Sequence, residues 1–186
     1  MTDQPAIRWG IIGPGTIAKT FAANLQRSDA GVLVAIASRN PARQGLADAF
    51  PGARILDGYQ AMLDDAEVDA IYIATPHPAH AEWAIKAAEA GKHVLCEKPM
   101  GVSAYEAEAM IQAARRAGTF LGEAFMYRHH PQTAKIIDMV GSGVIGAVRM
   151  IKASFGFAMA NPDPGHRLLA NETAGGAILD ICCYPV

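Results

Sequence analysis

The sequence predicts an α/β fold, a doubly wound parallel sheet with helices on both faces, followed by the beginning of an α+β region. Three observations predict it. Short apolar runs alternate with helical patterns through residues 1–126, as in a chain of βαβ units. The first run breaks at Gly13-Pro14-Gly15 and resumes at once as a helix pattern carrying Ile17, Phe21 and Leu25. Near Tyr127 the alternation stops and the segments change character. The expected division is therefore one domain over residues 1–126 and the opening of a second, incomplete one over residues 127–186.

Taken in order, the apolar runs predict strands at residues 7–12, 32–38, 70–75, 93–96 and 119–125. Helices are expected between them at residues 16–26, 42–50, 59–64, 79–90 and 104–117. Gly91 and Gly118 each stand just past a helix, where a left-handed cap is wanted. In the second region Pro131 suits the first turn of a helix reaching about Val140. Residues 147–155 alternate like a half-buried strand of a different sheet. A loop follows at Asn161-Pro162-Asp163-Pro164-Gly165, and the stretch from Gly175 to Tyr184 reads as the opening of a helix. A lone strand needs partners and none follows, so the second domain is expected to be truncated.

Composition narrows the function. The chain has 186 residues, 51% hydrophobic, with a net charge of −2, which leaves no basic footprint for nucleic acid or an anionic membrane. No apolar run approaches the roughly 20 residues of a membrane span. The opening Met1-Thr2-Asp3-Gln4-Pro5 lacks a secretory pattern, and Cys96, Cys182 and Cys183 make no disulfide framework, so a soluble cytoplasmic protein is expected.

The chemistry begins at the glycine turn. Gly13-Pro14-Gly15-Thr16-Ile17-Ala18 between a strand and a helix is the arrangement of a Rossmann-type dinucleotide site. Gly13 permits the sharp turn, Gly15 admits a pyrophosphate close to the backbone, and Thr16 and Ile17 open the helix whose N–H groups would receive it. After the second strand, Ser38-Arg39 stands where an acidic residue would hold the ribose of NAD. A guanidinium there, with Arg43 one turn further on, favours the 2′-phosphate of NADP, NAD remaining possible. The third strand ends in Thr75-Pro76-His77-Pro78-Ala79-His80, at the edge where such sheets bind ligands. Thr75, Pro76, His77 and His80 are thus candidate cofactor contacts. The histidines lack the cysteine spacing of a zinc site, so no metal is expected. Glu97-Lys98-Pro99 follows the next strand at the same edge, with Lys98 placed to donate to a substrate oxygen and a Lys98–Pro99 bond able to be cis.

Together with Phe125-Met126-Tyr127-Arg128-His129-His130-Pro131 and the closing Gly175-Gly176-Ala177-Ile178-Leu179-Asp180-Ile181-Cys182-Cys183-Tyr184-Pro185, these motifs resemble the glucose-fructose oxidoreductase / inositol dehydrogenase (Gfo/Idh/MocA) family. The resemblance spans essentially the whole chain and leans toward the branch of dihydrodiol and NADP-dependent xylose dehydrogenases. It implies that Lys98 hydrogen-bonds the substrate oxygen and that Tyr184 is the general acid/base; Asp180, four residues before Tyr184, would share its face on a helix and grip the same substrate. It also places Glu97 and Arg167 beside the cofactor or substrate. Ala174 and Cys182 depart from the family, which usually has glycine at both positions.

The expected function is thus an NAD(P)-dependent oxidoreductase, with NADP favoured. It would pass hydride between the nicotinamide and a carbinol or carbonyl carbon of a sugar, polyol or cyclic diol, and form a homo-oligomer at full length. The alternative is a truncated, non-catalytic dinucleotide-binding module or sensor. A third option is NAD-dependent elimination on the same scaffold.

Overall fold

In a computed structural model, residues 5–159, 163 and 166–185 are described. Most of the loop expected at residues 161–165 lies outside them. Two compact units divide at Glu123/Ala124.

The first unit is built on six parallel strands: β1 (Ile7–Ile12), β2 (Gly31–Ser38), β3 (Arg54–Asp57), β4 (Ala70–Ile73), β5 (His93–Cys96) and β6 (Leu121–Glu123), in the order β3-β2-β1-β4-β5-β6. That is the doubly wound order of dinucleotide-binding sheets, with the reversal of strand order between β1 and β4. The central strands are buried on both faces. Ile11, Ile12, Ile36, Ile71 and Ile73 are fully buried, which accounts for runs that are continuously apolar instead of alternating. Gly10 interrupts β1 because a Cβ there would lie 2.2 Å from the Met62 sulfur, so the side chain it lacks is replaced by Met62.

The helices are α1 (Thr16–Leu25), α2 (Leu46–Ala49), α3 (Gln60–Leu63), α4 (His80–Glu89) and α5 (Ala104–Ala117). Phe21 fastens α1 to the sheet, stacking on Tyr72 of β4 at 4.0 Å and meeting Trp9 of β1 edge-on at 5.3 Å. Ala84, Ala87, Ala88, Ala113 and Ala114 are buried on α4 and α5, and small side chains bring the two helices close. Ser103 caps α5 by accepting the Glu106 N–H at 3.2 Å, and Gly118 ends it in the left-handed conformation.

Two expectations here need correcting. The strand β3 was not foreseen: it is a four-residue edge strand with only Ile55 and Leu56 apolar, too brief to show a period. The helix expected over residues 42–50 shrinks to α2, because Gly45 takes φ +73° and starts the helix at Leu46. Arg43 therefore lies in the preceding turn, its N–H bonded to the Asn40 carbonyl at 3.2 Å, and not one turn along a helix from Arg39.

The second unit holds α6 (Pro131–Gly141), preceded by a 3-10 turn at Met126–His129, and a single helical turn, α7 (Ala177–Asp180). Residues 147–155 form no strand. Met150 and Ile151 are both 83% exposed, so burial does not alternate, and among the described residues of this unit there is no strand to pair with. α7 ends at Asp180 and is followed by turns, so Asp180 and Tyr184 do not share a helical face as expected.

Candidate functional site

The carboxyl ends of β1, β2, β4 and β5 carry most of the residues singled out from the sequence. Gly13 leaves β1 with φ +94°, and a Cβ there would sit 2.8 Å from the Ala74 carbonyl oxygen. The turn after β1 thus passes against the end of β4, at the point where the strand order reverses. Gly15 is the N-cap of α1, with no side-chain cap and no acidic residue in the first turn. A Cβ on it would meet only that same Ala74 oxygen, at 4.0 Å. The first-turn N–H groups, Thr16 and Ile17 among them, have no intrahelical acceptors, both residues are exposed, and the positive end of the helix dipole is uncompensated. Beside this turn, Thr75 at the end of β4 is 7% exposed, and its hydroxyl has no hydrogen-bond partner among the described residues. An open anion seat and an orphaned hydroxyl at the switch point fit the pyrophosphate and ribose of a dinucleotide.

At the end of β2, Ser38 is buried and its hydroxyl oxygen accepts the Asn40 N–H at 3.1 Å, shaping the turn that presents Arg39. The exposed Arg39 guanidinium lies over the Tyr59 ring, 6.0 Å from its centroid, and Tyr59 in turn meets Trp83 edge-on at 5.1 Å. Tyr59 was not singled out from the sequence, since nothing there links it to Arg39.

The histidines separate. His77 is 6% exposed and sits edge-on to His80, their ring centroids 5.7 Å apart, while Pro76 is exposed. His80 is fully buried, with Nδ1 2.8 Å from the Pro99 carbonyl oxygen and Nε2 2.9 Å from the Thr75 carbonyl oxygen. The expected cofactor contact at His80 is therefore corrected: neither ring nitrogen is available to a ligand.

Glu97 and Lys98 follow β5, and the Lys98–Pro99 bond is cis. The Tyr72 hydroxyl donates to Glu97 Oε1, and Glu97 Oε2 accepts the Lys98 N–H at 3.2 Å. Met100 N–H donates to Glu123 Oε1 of β6 at 2.7 Å. Tyr72 and Glu123 were not picked out either. The available signal was a phenol inside the otherwise aliphatic β4, because a buried tyrosine hydroxyl needs an acceptor. Just before this turn, the Cys96 thiol is pushed well above the usual range by burial, reinforced by Glu97 and Glu123, so it is an inert core thiol.

In the second unit Tyr184 is ringed by aromatic side chains: Phe155 at 5.1 Å, and Phe125 and Tyr127 each at 5.7 Å. Asp180 closes α7, and Arg167 is exposed in a turn tied down by the Thr173 hydroxyl, which donates to the Arg167 carbonyl at 2.6 Å. Ala174 occupies the left-handed region at φ +52°, ψ +45°, the one non-glycine with positive φ among the described residues. That conformation accounts for the glycine expected at this position.

Residues 7–125 match the GFO/IDH/MocA oxidoreductase family with its NAD-binding Rossmann fold, and residues 133–186 match the GFO/IDH/MocA C-terminal domain. The chain belongs to this family. It is 40% identical over 182 residues to dTDP-3,4-didehydro-2,6-dideoxy-alpha-D-glucose 3-reductase of Actinomadura kijaniata, covering 97% of this chain and 54% of that protein. It is 37% identical to NADP-dependent D-xylose 1-dehydrogenase 2 of Haloferax volcanii, over 96% of this chain and 54% of that one. A solved 3-ketoreductase from Actinomadura kijaniata in complex with NADP superposes with a TM-score of 0.71 at 40% identity, over 76% of this chain and 46% of the other. The chain spans about half the length of the curated relatives it matches.

Proposed function

We propose that the protein is an NADP-dependent oxidoreductase acting on CH–OH groups of sugars, polyols or cyclic diols. The observation that carries the reading is the switch-point turn, where Gly13, the uncapped start of α1 and the orphaned Thr75 hydroxyl stand together. Arg39 at the end of β2 supports NADP over NAD, since a guanidinium holds a 2′-phosphate through charge-assisted hydrogen bonds. The relatives extend the reading to chemistry: a sugar 3-reductase, a xylose dehydrogenase and the mouse trans-1,2-dihydrobenzene-1,2-diol dehydrogenase all act at a carbinol or carbonyl carbon.

In this reading α1 receives the pyrophosphate, Thr16 and Ile17 lend their N–H groups, and Ser38, Arg39 and Arg43 border the adenosine ribose. Thr75, Pro76 and His77 border the cofactor from the end of β4. When bound, the nicotinamide supplies the hydride chemistry. Lys98 donates a hydrogen bond to the oxygen of the reacting carbon, and Tyr184 gives or takes the hydroxyl proton. Asp180 and Arg167 serve the substrate and cofactor as the family resemblance implies. A cytoplasmic location, suggested by cysteines whose spacing makes no disulfide framework, and a homo-oligomeric state, suggested by the resemblance, belong to the same proposal.

A screen of aldoses, deoxysugar nucleotides and trans-dihydrodiols with NADP and NAD, read by absorbance of the reduced cofactor, tests the reading. Reduction of NADP by one of these classes supports it. Cofactor that binds yet is consumed with none of them supports the non-catalytic module instead.

A further inference from the structure

The Glu97–Met100 turn that carries Lys98 is pinned from several directions. Tyr72 of β4 holds the Glu97 carboxylate, and Glu123 of β6 holds the Met100 N–H. A further tie is His80, at the start of α4. Its ring is fully buried and lies between two backbone carbonyl oxygens, Pro99 at 2.8 Å and Thr75 at 2.9 Å. Carbonyl oxygens only accept, so the ring nitrogen that carries the proton is the one that donates. A buried ring with two short bonds to two different loops is a rigid spacer. One loop ends β4 and presents Thr75 beside the glycine turn, and the other follows β5 and presents Lys98.

We propose that His80 is a positioning residue that sets the location of Lys98 relative to the cofactor loop at Thr75, acting through the Pro99 carbonyl next to Lys98 in the chain. This deepens the proposed function, since it rests on reading Lys98 as the lysine that meets the substrate. A histidine is suited to the task. Its two nitrogens diverge across a flat ring, so one side chain reaches the Thr75 and Pro99 carbonyls at once. Asparagine places a donor where Nδ1 stands and reaches only Pro99. Glutamine places one where Nε2 stands and reaches only Thr75.

The test reads Lys98 directly and needs no turnover. Lysines are labelled by reductive ¹³C-methylation and the Lys98 resonance is assigned with Lys98→Arg. In His80→Gln, which loses the Pro99 bond, the Lys98 dimethylamine resonance should move while those of Lys19, Lys86 and Lys135 stay in place. In His80→Asn, which keeps that bond, it should return toward the wild-type position. A Lys98 resonance unchanged in His80→Gln, or displaced equally in both variants, overturns the proposal and leaves His80 a core histidine. If the variants do not fold, ¹⁵N spectra of the wild-type imidazoles decide: a proton on Nδ1 of His80 supports the tie to Pro99, and a bare Nδ1 removes it. Failure here would leave the oxidoreductase reading standing, because that reading is tested by cofactor reduction.

Discussion

The Cβ that Gly13 lacks would lie 2.8 Å from the carbonyl oxygen of Ala74. This single approach brings the turn after β1 against the end of β4, and with it the start of α1 against Thr75. The cofactor reading depends on that closeness more than on the number of glycines in the motif.

Gly13→Ala should therefore fail on two counts, a backbone at φ +94° and a collision with the backbone carbonyl of Ala74 at 2.8 Å. The expected cost is about 1–3 kcal/mol of stability. Displacement of the turn should weaken NADPH binding by about tenfold or more, or about 1.4 kcal/mol. Thermal denaturation and a fluorescence titration check both, and a variant with unaltered affinity would mean the turn does not seat the pyrophosphate.

Ala174→Gly works in the opposite direction. The left-handed backbone at φ +52° costs an L-residue about 1–2 kcal/mol, partly offset by the greater freedom of glycine in the unfolded chain. The variant should raise stability by up to about 1 kcal/mol, seen as a higher melting temperature. A lower one would mean that the alanine methyl makes packing contacts outweighing the backbone strain.

Acid should loosen the start of β1. Asp69 is held at about 2, below its ordinary 3.8, chiefly by the Arg8 side-chain hydrogen bonds at 3.0 and 2.6 Å. Its carboxylate is the form the folded state prefers, so this contribution is complete above pH 3.8 and fades as pH falls toward 2. Both side chains are more than a third exposed, so the effect is small. Asp69→Asn should flatten that part of the stability–pH curve, and an unchanged slope would assign the acid sensitivity elsewhere.

Tyr184→Phe, tested with whichever substrate reduces NADP, should abolish turnover with NADPH affinity nearly unchanged, because the proposed role of the lost hydroxyl is to handle the substrate proton and not the cofactor. Lys98→Ala should likewise lower kcat strongly. Wild-type turnover in the Tyr184 variant would remove that residue from the mechanism.

The parts legible in the sequence are those governed by local chemistry. β1, β5 and α5 fall at the expected residues because apolar runs end at Gly13, Glu97 and the Ser103 and Gly118 caps. What escaped depends on neighbours. β3 is a short edge strand paired with β2 alone, residues 147–155 alternate but find no strand to pair with among the described residues, and Gly45 shortened a helix whose apolar pattern ran past it. At the site, Gly13, Gly15, Arg39 and Lys98 were readable as residue types at strand ends. The inward turn of His80 was not, because only the tertiary fold brings the Thr75 and Pro99 carbonyls to either side of one ring.

The central claim is that this switch point binds NADP(H), with Arg39 on the 2′-phosphate. Equilibrium titration of the wild type and Arg39→Ala with NADPH and NADH, followed by energy transfer from Trp9 and Trp83, tests it most directly. The wild type should prefer NADPH, and the variant should lose about 1.5–3 kcal/mol of NADPH affinity, roughly tenfold or more, while NADH binding stays the same. Absence of saturable binding by either nucleotide, or one preference shared by wild type and variant, would contradict the account.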